Sequence, residues 1–125
     1  MNGKDIDFFL KHVKHYGGVT DLQHTVKPGY VYSVFTGVSP YGHWVVLDLS
    51  VTPFYFFDSL GKSPTHYGLP HMKYNRKVIQ SGASDVCGLY CIYYVVNGIK
   101  GLKRFGSNRK LNDAWILKWI ETAPI

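Results

Sequence analysis

One stretch of the sequence, residues 87–96, is apolar on almost every side and strongly limits how the chain can fold. Ser84-Asp85 before it favour a helix N-cap, and Asn97-Gly98 after it favour a C-cap. We therefore predict a helix that the rest of the chain must bury. The stretch is about half of the roughly 20 residues that a membrane-spanning helix needs, so no membrane association is expected.

The chain is long enough to build one core around this helix. It has 125 residues, of which 46% are hydrophobic and 18% are charged, a composition that favours folding over disorder. We assign residues 1–125 to a single domain. Two cysteines are too few for the disulfide framework of a small secreted protein, which favours a reducing compartment. The first residues contain no apolar run after a basic start, so no signal peptide is expected.

The N-terminal part of the chain predicts a helix, an irregular stretch and a strand. Apolar residues at positions 6, 9, 10 and 13 form one helical stripe, and Gly17-Gly18 would end the helix. Residues 19–27 are polar and irregular. Residues 30–35 are β-branched and aromatic, which predicts a strand.

Two apolar runs in the middle of the chain, residues 43–49 and 54–58, predict a β-hairpin. Residues 60–75 are predicted to be a surface loop with room for one helical turn, and residues 78–80 a brief strand. A last helix is expected around residues 113–121, with an apolar side formed by Trp115, Ile116, Trp119 and Ile120. These elements predict an α+β fold in which a mixed central sheet packs against the buried helix.

Cys87 is predicted in the first turn of the buried helix. Its thiolate would there face unpaired backbone N–H groups and the positive end of the helix dipole, which lowers the thiol pKa. The same N–H groups could stabilise an oxyanion on a carbonyl attacked by the sulfur. Considered alone, such a cysteine is more often a small buried hydrophobe. Cys91, one turn later, is interpreted as core packing rather than as half of a redox pair.

Three further residues could complete thiol chemistry around Cys87. His43 opens the first strand of the hairpin and Asp58 closes the second, so the two side chains can meet across the strand pair. Asp48 lies nearer the turn, and we expect it to be solvated at the surface. The amide of Gln80, shortly before Cys87, could supply a second oxyanion donor.

Three blocks of sequence carry a resemblance to a known family. They read Tyr-Gly-His43-Trp44-Val-Val, Phe-Phe-Asp58-Ser-Leu-Gly and Ile-Gln80-Ser-Gly-Ala-Ser-Asp-Val-Cys87-Gly88-Leu-Tyr-Cys91. In residue types and order, these blocks resemble the adenovirus protease family and, more distantly, the ubiquitin-like-protein-specific (SUMO) proteases. The resemblance extends over essentially the whole chain, although only these blocks are specific.

The resemblance implies a papain-like cysteine protease fold of the adenovirus-protease and SUMO-protease type. It implies that Cys87 is the nucleophile, His43 the general base and acid, and Asp58 the carboxylate that orients the histidine. Gln80 and the Cys87 amide would form the oxyanion hole. By the same resemblance, the substrate groove would be formed in part by Gly42 and Trp44.

The function that the resemblance implies is that of a viral maturation endopeptidase. Such an enzyme would cleave capsid or core precursor proteins through a thioester intermediate, next to small residues such as glycine. It would act as a monomer in the virion and in the nucleus or cytoplasm of the host cell. Two alternatives remain open at this point: a protease that removes a ubiquitin-like modifier, and a non-enzymatic interaction domain with the same fold.

The charge of the chain suggests an acidic partner. The formal net charge is +6, and a basic stretch near the C-terminus contains Lys100, Lys103, Arg104, Arg109 and Lys110. A solvated connection between helices explains this stretch equally simply. The resemblance adds DNA as a candidate ligand of the stretch, and it allows activation by DNA or by a viral peptide without a small-molecule cofactor. The histidines lack ligand spacing, so no metal site is predicted.

Overall fold

The computed structural model describes residues 1–37, 42–82 and 85–123, and it has the predicted α+β architecture. Its elements, in chain order, are α1 (Gly3–Leu10), β1 (Tyr16–Asp21), β2 (Val31–Phe35), β3 (Trp44–Asp48), β4 (Tyr55–Phe57), β5 (Lys73–Tyr74), α2 (Cys87–Asn97) and α3 (Arg109–Thr122). Two 3₁₀ helices join them at Pro64–Tyr67 and Ile99–Arg104.

The five strands form one mixed sheet in the order β1-β2-β3-β4-β5. The two outer pairs, β1 with β2 and β4 with β5, are parallel, whereas the inner pairs are antiparallel. Strands β3 and β4 form the predicted hairpin, in which Val46 lies opposite Phe57 and Asp48 opposite Tyr55. The hairpin therefore places the start of β3 and the end of β4 at the same end of the sheet.

Helix α2 is the centre of the main core, as predicted. It packs against β3 on one side and against α1 and α3 on others, which explains why its sequence is apolar all round. The Tyr94 ring stacks on Phe57 of the sheet, with centroids 5.1 Å apart. The predicted C-cap is also present, because Gly98 has a φ of 71° and its N–H donates to the Tyr94 carbonyl.

The opposite face of the sheet carries a second, smaller core. Its buried residues come from β2, β3, β4 and the residue after β3: Tyr32, Val34, Val45, Leu47, Leu49 and Phe56. Side chains from the connections at residues 22–26 and 67–74 cover this face. All of β3 and most of β2 are therefore buried on both faces, which accounts for their nearly continuous apolar sequences.

The prediction for the N-terminal region was wrong in two respects. Helix α1 ends at Leu10, well before Gly17, and residues 16–21, which overlap the expected irregular stretch, form β1. Nearly all residues of this edge strand are partly exposed, on both faces. Its sequence therefore lacks the apolar–polar alternation of a strand that has one buried and one exposed face. Gly17 is required there because a Cβ atom would lie 2.4 Å from the Tyr32 ring.

The brief strand predicted at residues 78–80 is also absent. The short strand β5 occurs instead at Lys73–Tyr74, within the expected surface loop. The backbone N–H groups of Ile79 and Gln80 both donate to the Ser59 carbonyl, an arrangement that does not continue a ladder. The amide of Asn112 on α3 donates to the Ile79 carbonyl.

The helix starts differ from the predicted ones as well. The N-cap of α2 is Val86 without a side-chain hydrogen bond, so Asp85 is not the cap, and Ser84 lies outside the described residues. Helix α3 begins four residues before Asp113, because the Asn108 side chain caps it by accepting from the Leu111 N–H.

Candidate active site

Cys87 is the first residue of α2, at the position expected for an activated thiol. Its Sγ accepts a hydrogen bond from the backbone N–H of Trp44 at 3.5 Å. Burial alone would raise the thiol pKa, but hydrogen bonds from His43, the Trp44 N–H and the Gly88 N–H outweigh it and lower the pKa of Cys87. The expected direction is confirmed, and the histidine is the largest lowering influence.

His43 and Asp58 meet at the end of the hairpin. His43 directly precedes β3, and Asp58 directly follows β4, so the antiparallel register brings them together. The distance between His43 Nε2 and Asp58 Oδ1 is 2.5 Å. Because Nε2 is engaged with the carboxylate, Nδ1 is the ring nitrogen left to serve Cys87.

The Asp58 carboxylate is fully buried and is surrounded by hydrogen-bond donors. Burial raises its pKa, but the His43 ring, the Tyr67 hydroxyl and the Leu60 N–H together lower the pKa of Asp58 below its ordinary value. The Tyr67 hydroxyl donates to Oδ2 at 2.6 Å and the Leu60 N–H to Oδ1 at 2.9 Å. Sequence reasoning missed Tyr67, whose loop has no periodicity that would place it beside a residue nine positions earlier.

His43 holds its proton more tightly than an ordinary histidine. Burial lowers its pKa, but the hydrogen bonds to Asp58 and Cys87 and their negative charges raise the pKa of His43 to about 9. Since the pKa of Cys87 is lowered at the same time, the two residues favour a thiolate–imidazolium pair.

Gln80 is buried and lies at the same groove as Cys87. Its side-chain carbonyl oxygen accepts a hydrogen bond from the Ser59 hydroxyl at 2.5 Å.

Helix α3 binds the backbone on both sides of Gln80. The Asn112 side chain donates to the Ile79 carbonyl, and the Asp113 carboxylate accepts from the Ser81 N–H at 3.3 Å.

A groove of about 1160 Å³ lies above these residues. Both predicted substrate residues, Gly42 and Trp44, line it. Gly42 lies so close to Phe35 that a Cβ atom there would be 1.9 Å from the ring, and Trp44 packs on the same ring with centroids 5.0 Å apart. Sequence reasoning missed the other wall of the groove, formed by the N-terminal residues Met1, Asn2, Gly3 and Asp5 with Val19, Thr20 and Asp21 of β1.

The basic stretch lies apart from this groove. Lys100, Lys103 and Arg104 belong to the second 3₁₀ helix, and Arg109 and Lys110 start α3. None of the five is among the described residues that line the groove. The Arg104 guanidinium lies 4.4 Å from the centre of the Trp115 ring, so this side chain is held by a cation–π contact.

Asp48 is not the solvated residue that was expected. It is buried, and its carboxylate accepts hydrogen bonds from the Tyr94 hydroxyl at 2.7 Å and from Ser50. The expectation failed because its partner on α2 is 46 residues away in sequence. Cys91 is 1% exposed and packs in the main core, as predicted, and burial raises its pKa.

Across residues 1–37, 42–82 and 85–123, His, Cys, Asp and Glu side chains do not gather in a group of three or more that could hold a metal ion. No helix in the described part of the chain is long and apolar enough to cross a membrane. Searches against protein-family models and against curated proteins found no match to this chain.

Proposed function

We propose that this protein is a cysteine endopeptidase with a papain-like fold. The observation that carries the proposal is a series of hydrogen bonds from Asp58 through His43 to Cys87, the first residue of a buried helix, beside an open groove. A carboxylate, an imidazole and a thiol in this order are what nucleophilic thiol catalysis requires. Gln80, at the same groove, adds an amide of the kind that stabilises an oxyanion.

The mechanism follows from the atoms that face the groove. The Cys87 thiolate attacks the carbonyl carbon of the scissile peptide, and the charge that forms on the oxygen is stabilised by the Gln80 amide and the Cys87 N–H. His43 then transfers the proton on Nδ1 to the leaving amine, which departs and leaves a thioester. Water attacks the thioester carbonyl while His43 accepts its proton. The carbon–sulfur bond then breaks, the acid product leaves, and the Cys87 thiolate and the His43 imidazolium are regenerated.

The substrates proposed here are viral capsid or core precursor proteins with small residues, such as glycine, at the cleaved bond. Trp44 and Phe35 pack together at the groove, and such rigid aromatic walls favour small residues beside the nucleophile. The resemblance to the adenovirus protease family supplies the biological setting, including the virion and the host nucleus or cytoplasm.

The first test is replacement of the nucleophile. We expect Cys87→Ala to lower hydrolysis of a fluorogenic peptide ending in Gly-Gly by at least about 10³-fold, because the remaining groups cannot form the thioester. Cys91→Ala is the matched control, since Cys91 is buried in the core one turn away, and it should keep hydrolysis within severalfold of wild type. Full activity of Cys87→Ala would refute the proposed mechanism.

Two other functions are separated by a second experiment. A protease for a ubiquitin-like modifier would use the same residues, and its Gly-Gly tail would suit the same groove. Labelling of Cys87 by a modifier-based vinyl probe, without cleavage of capsid-derived peptides, would favour that alternative. A non-enzymatic domain would show neither reaction; the complete set of His43, Asp58, Gln80 and Cys87 argues against it.

A further inference from the structure

We infer that Ser59 is a positioning residue that orients the side-chain amide of Gln80 for oxyanion stabilisation. The inference rests on the proposed cysteine peptidase mechanism and gives a role to Ser59, which has none in that mechanism. It concerns one bond of the structure, the hydrogen bond from the Ser59 hydroxyl to the Gln80 side-chain oxygen.

Ser59 contacts Gln80 through both its backbone and its side chain. The Ser59 carbonyl accepts the N–H groups of Ile79 at 2.9 Å and of Gln80 at 3.0 Å, which fixes the backbone that carries the amide. The Ser59 hydroxyl donates to Gln80 Oε1 at 2.5 Å. Ser59 is 1% exposed and Gln80 is 2% exposed, so water has little access to compete for this bond.

The bond decides which end of the amide faces the nucleophile. A glutamine amide has an acceptor oxygen and a donor NH2 that occupy similar space, and only the NH2 can stabilise a developing negative charge. Ser59, which binds Oε1, is not among the described residues that line the groove, whereas Gln80 and Cys87 are. Without the hydroxyl, Oε1 would be a buried acceptor lacking this donor, and rotation toward the groove would let water satisfy it. The amide oxygen would then face the oxyanion and repel it.

Ser59 also follows Asp58 directly, so one dipeptide at the end of β4 serves both halves of the site. The Asp58 side chain holds His43, and the Ser59 side chain holds Gln80. The position of the base and the position of the oxyanion donor are therefore set by the same segment of backbone.

The test compares two reactions of Cys87 in wild type and Ser59→Ala. Hydrolysis of the Gly-Gly fluorogenic peptide needs an oxyanion donor, whereas alkylation by iodoacetamide needs only the thiolate. We expect Ser59→Ala to lower kcat by about 10- to 100-fold with little change in KM, and to leave the alkylation rate within twofold. Ser63→Ala is the matched control, because the Ser63 hydroxyl contacts Thr65 away from the groove.

A double-mutant cycle shows whether Ser59 acts through Gln80. Gln80→Ala removes the donor, so adding Ser59→Ala should cause no further loss of kcat. If Ser59→Ala melts well below wild type, Ser59→Cys is the second variant for the kinetic measurement. Its thiol is similar in size to the hydroxyl but is a weak donor, so it should show the same loss of kcat.

Three results would overturn the inference. They are a wild-type kcat in Ser59→Ala, an equal loss in the Gln80→Ala background, and a parallel loss of alkylation that would indicate damage to the Cys87–His43 pair. A wild-type protein without hydrolytic activity would refute the proposed function and the inference together, whereas an active wild type with an unaffected Ser59→Ala variant would refute the inference alone.

Discussion

His43 shows how the immediate surroundings of one residue fix its orientation and raise its pKa for the proposed catalysis. Its Nε2 bonds the Asp58 carboxylate, which keeps the ring in one orientation and directs Nδ1 toward Cys87. Asp58 in turn is held by the Tyr67 hydroxyl and the Leu60 N–H. Motif order indicated His43 and Asp58 in advance. The Tyr67 hydroxyl was not predictable as a donor, because Tyr67 is positioned by its packing against the sheet.

The raised pKa of His43 predicts a pH dependence at the residue scale. In the wild type, kcat/KM should fall at alkaline pH with a midpoint near 9, as the imidazolium that protonates the leaving amine loses its proton. Asp58→Asn removes the charge that favours the imidazolium, so this alkaline limb should move to lower pH, toward the ordinary histidine value near 6.5. At pH 7, kcat/KM should drop by between about 10² and 10⁴.

Measuring kcat/KM from pH 5 to pH 10 checks this prediction. Asp7→Asn is a matched control, because the Asp7 carboxylate accepts from Tyr16 and lies outside the groove lining. An alkaline limb that stays near 9 in Asp58→Asn would show that Asp58 does not raise the pKa of His43.

At the scale of elements, α3 stabilises the segment that carries Gln80. Asp113 of α3 accepts hydrogen bonds from the Tyr90 hydroxyl of α2 at 2.6 Å and from the Ser81 N–H at 3.3 Å. One carboxylate therefore connects the last helix both to α2, which carries Cys87, and to the segment at residues 79–81. The aromatic side of α3 was predictable from its period, whereas this polar contact was not, because a buried aspartate looks like a surface residue in sequence.

Asp113→Ala should destabilise the fold, because it leaves the buried Tyr90 hydroxyl and the Ser81 N–H without this acceptor. We expect the free energy of unfolding to fall by about 2 to 4 kcal/mol, measured by urea denaturation at pH 7. Lys118→Ala, at an exposed position of the same helix, should change it by no more than about 0.5 kcal/mol. Equal effects of the two substitutions would exclude a structural role of Asp113.

At the scale of the whole molecule, acidic residues of the groove and the basic stretch occupy different parts of the described structure. The groove is lined by three carboxylates, Asp5, Asp21 and Asp85, although the chain as a whole carries a net charge of +6. The basic stretch at residues 100–110 lies apart from it on the second 3₁₀ helix and the start of α3. A polyanion bound to the basic stretch would therefore leave the groove open to a peptide.

This separation makes DNA binding testable independently of catalysis. We expect a labelled duplex to bind at low salt, measured by fluorescence anisotropy, and to dissociate as salt rises. Replacing Lys103, Arg109 and Lys110 with alanine should reduce the slope of log affinity against log salt by about 3. Alanine at the exposed Lys4, Lys14 and Lys62 changes the net charge equally and should have a smaller effect. Undetectable binding at low salt would refute the expectation that the basic stretch binds DNA.

The sequence by itself determined the elements whose signal is local. The continuous apolar runs of α2 and of the hairpin strands, and the apolar side of α3, are patterns that burial imposes on neighbouring residues. The order of His43, Asp58, Gln80 and Cys87 then placed the candidate chemistry at defined ends of those elements.

Apart from the pairing of His43 with Asp58, which the hairpin indicated, only the tertiary structure decided which polar groups meet. Residues 16–21 form a strand because they pair with β2, and Asp48 is buried because α2, with Tyr94, packs over it. Gln80 meets Ser59 because the backbone of residues 79–80 binds the Ser59 carbonyl just after β4. A buried polar group must find a hydrogen-bond partner, and that partner is set by the distant segment that packs against it. No local pattern carries this information, because the contact exists only once the layers have assembled.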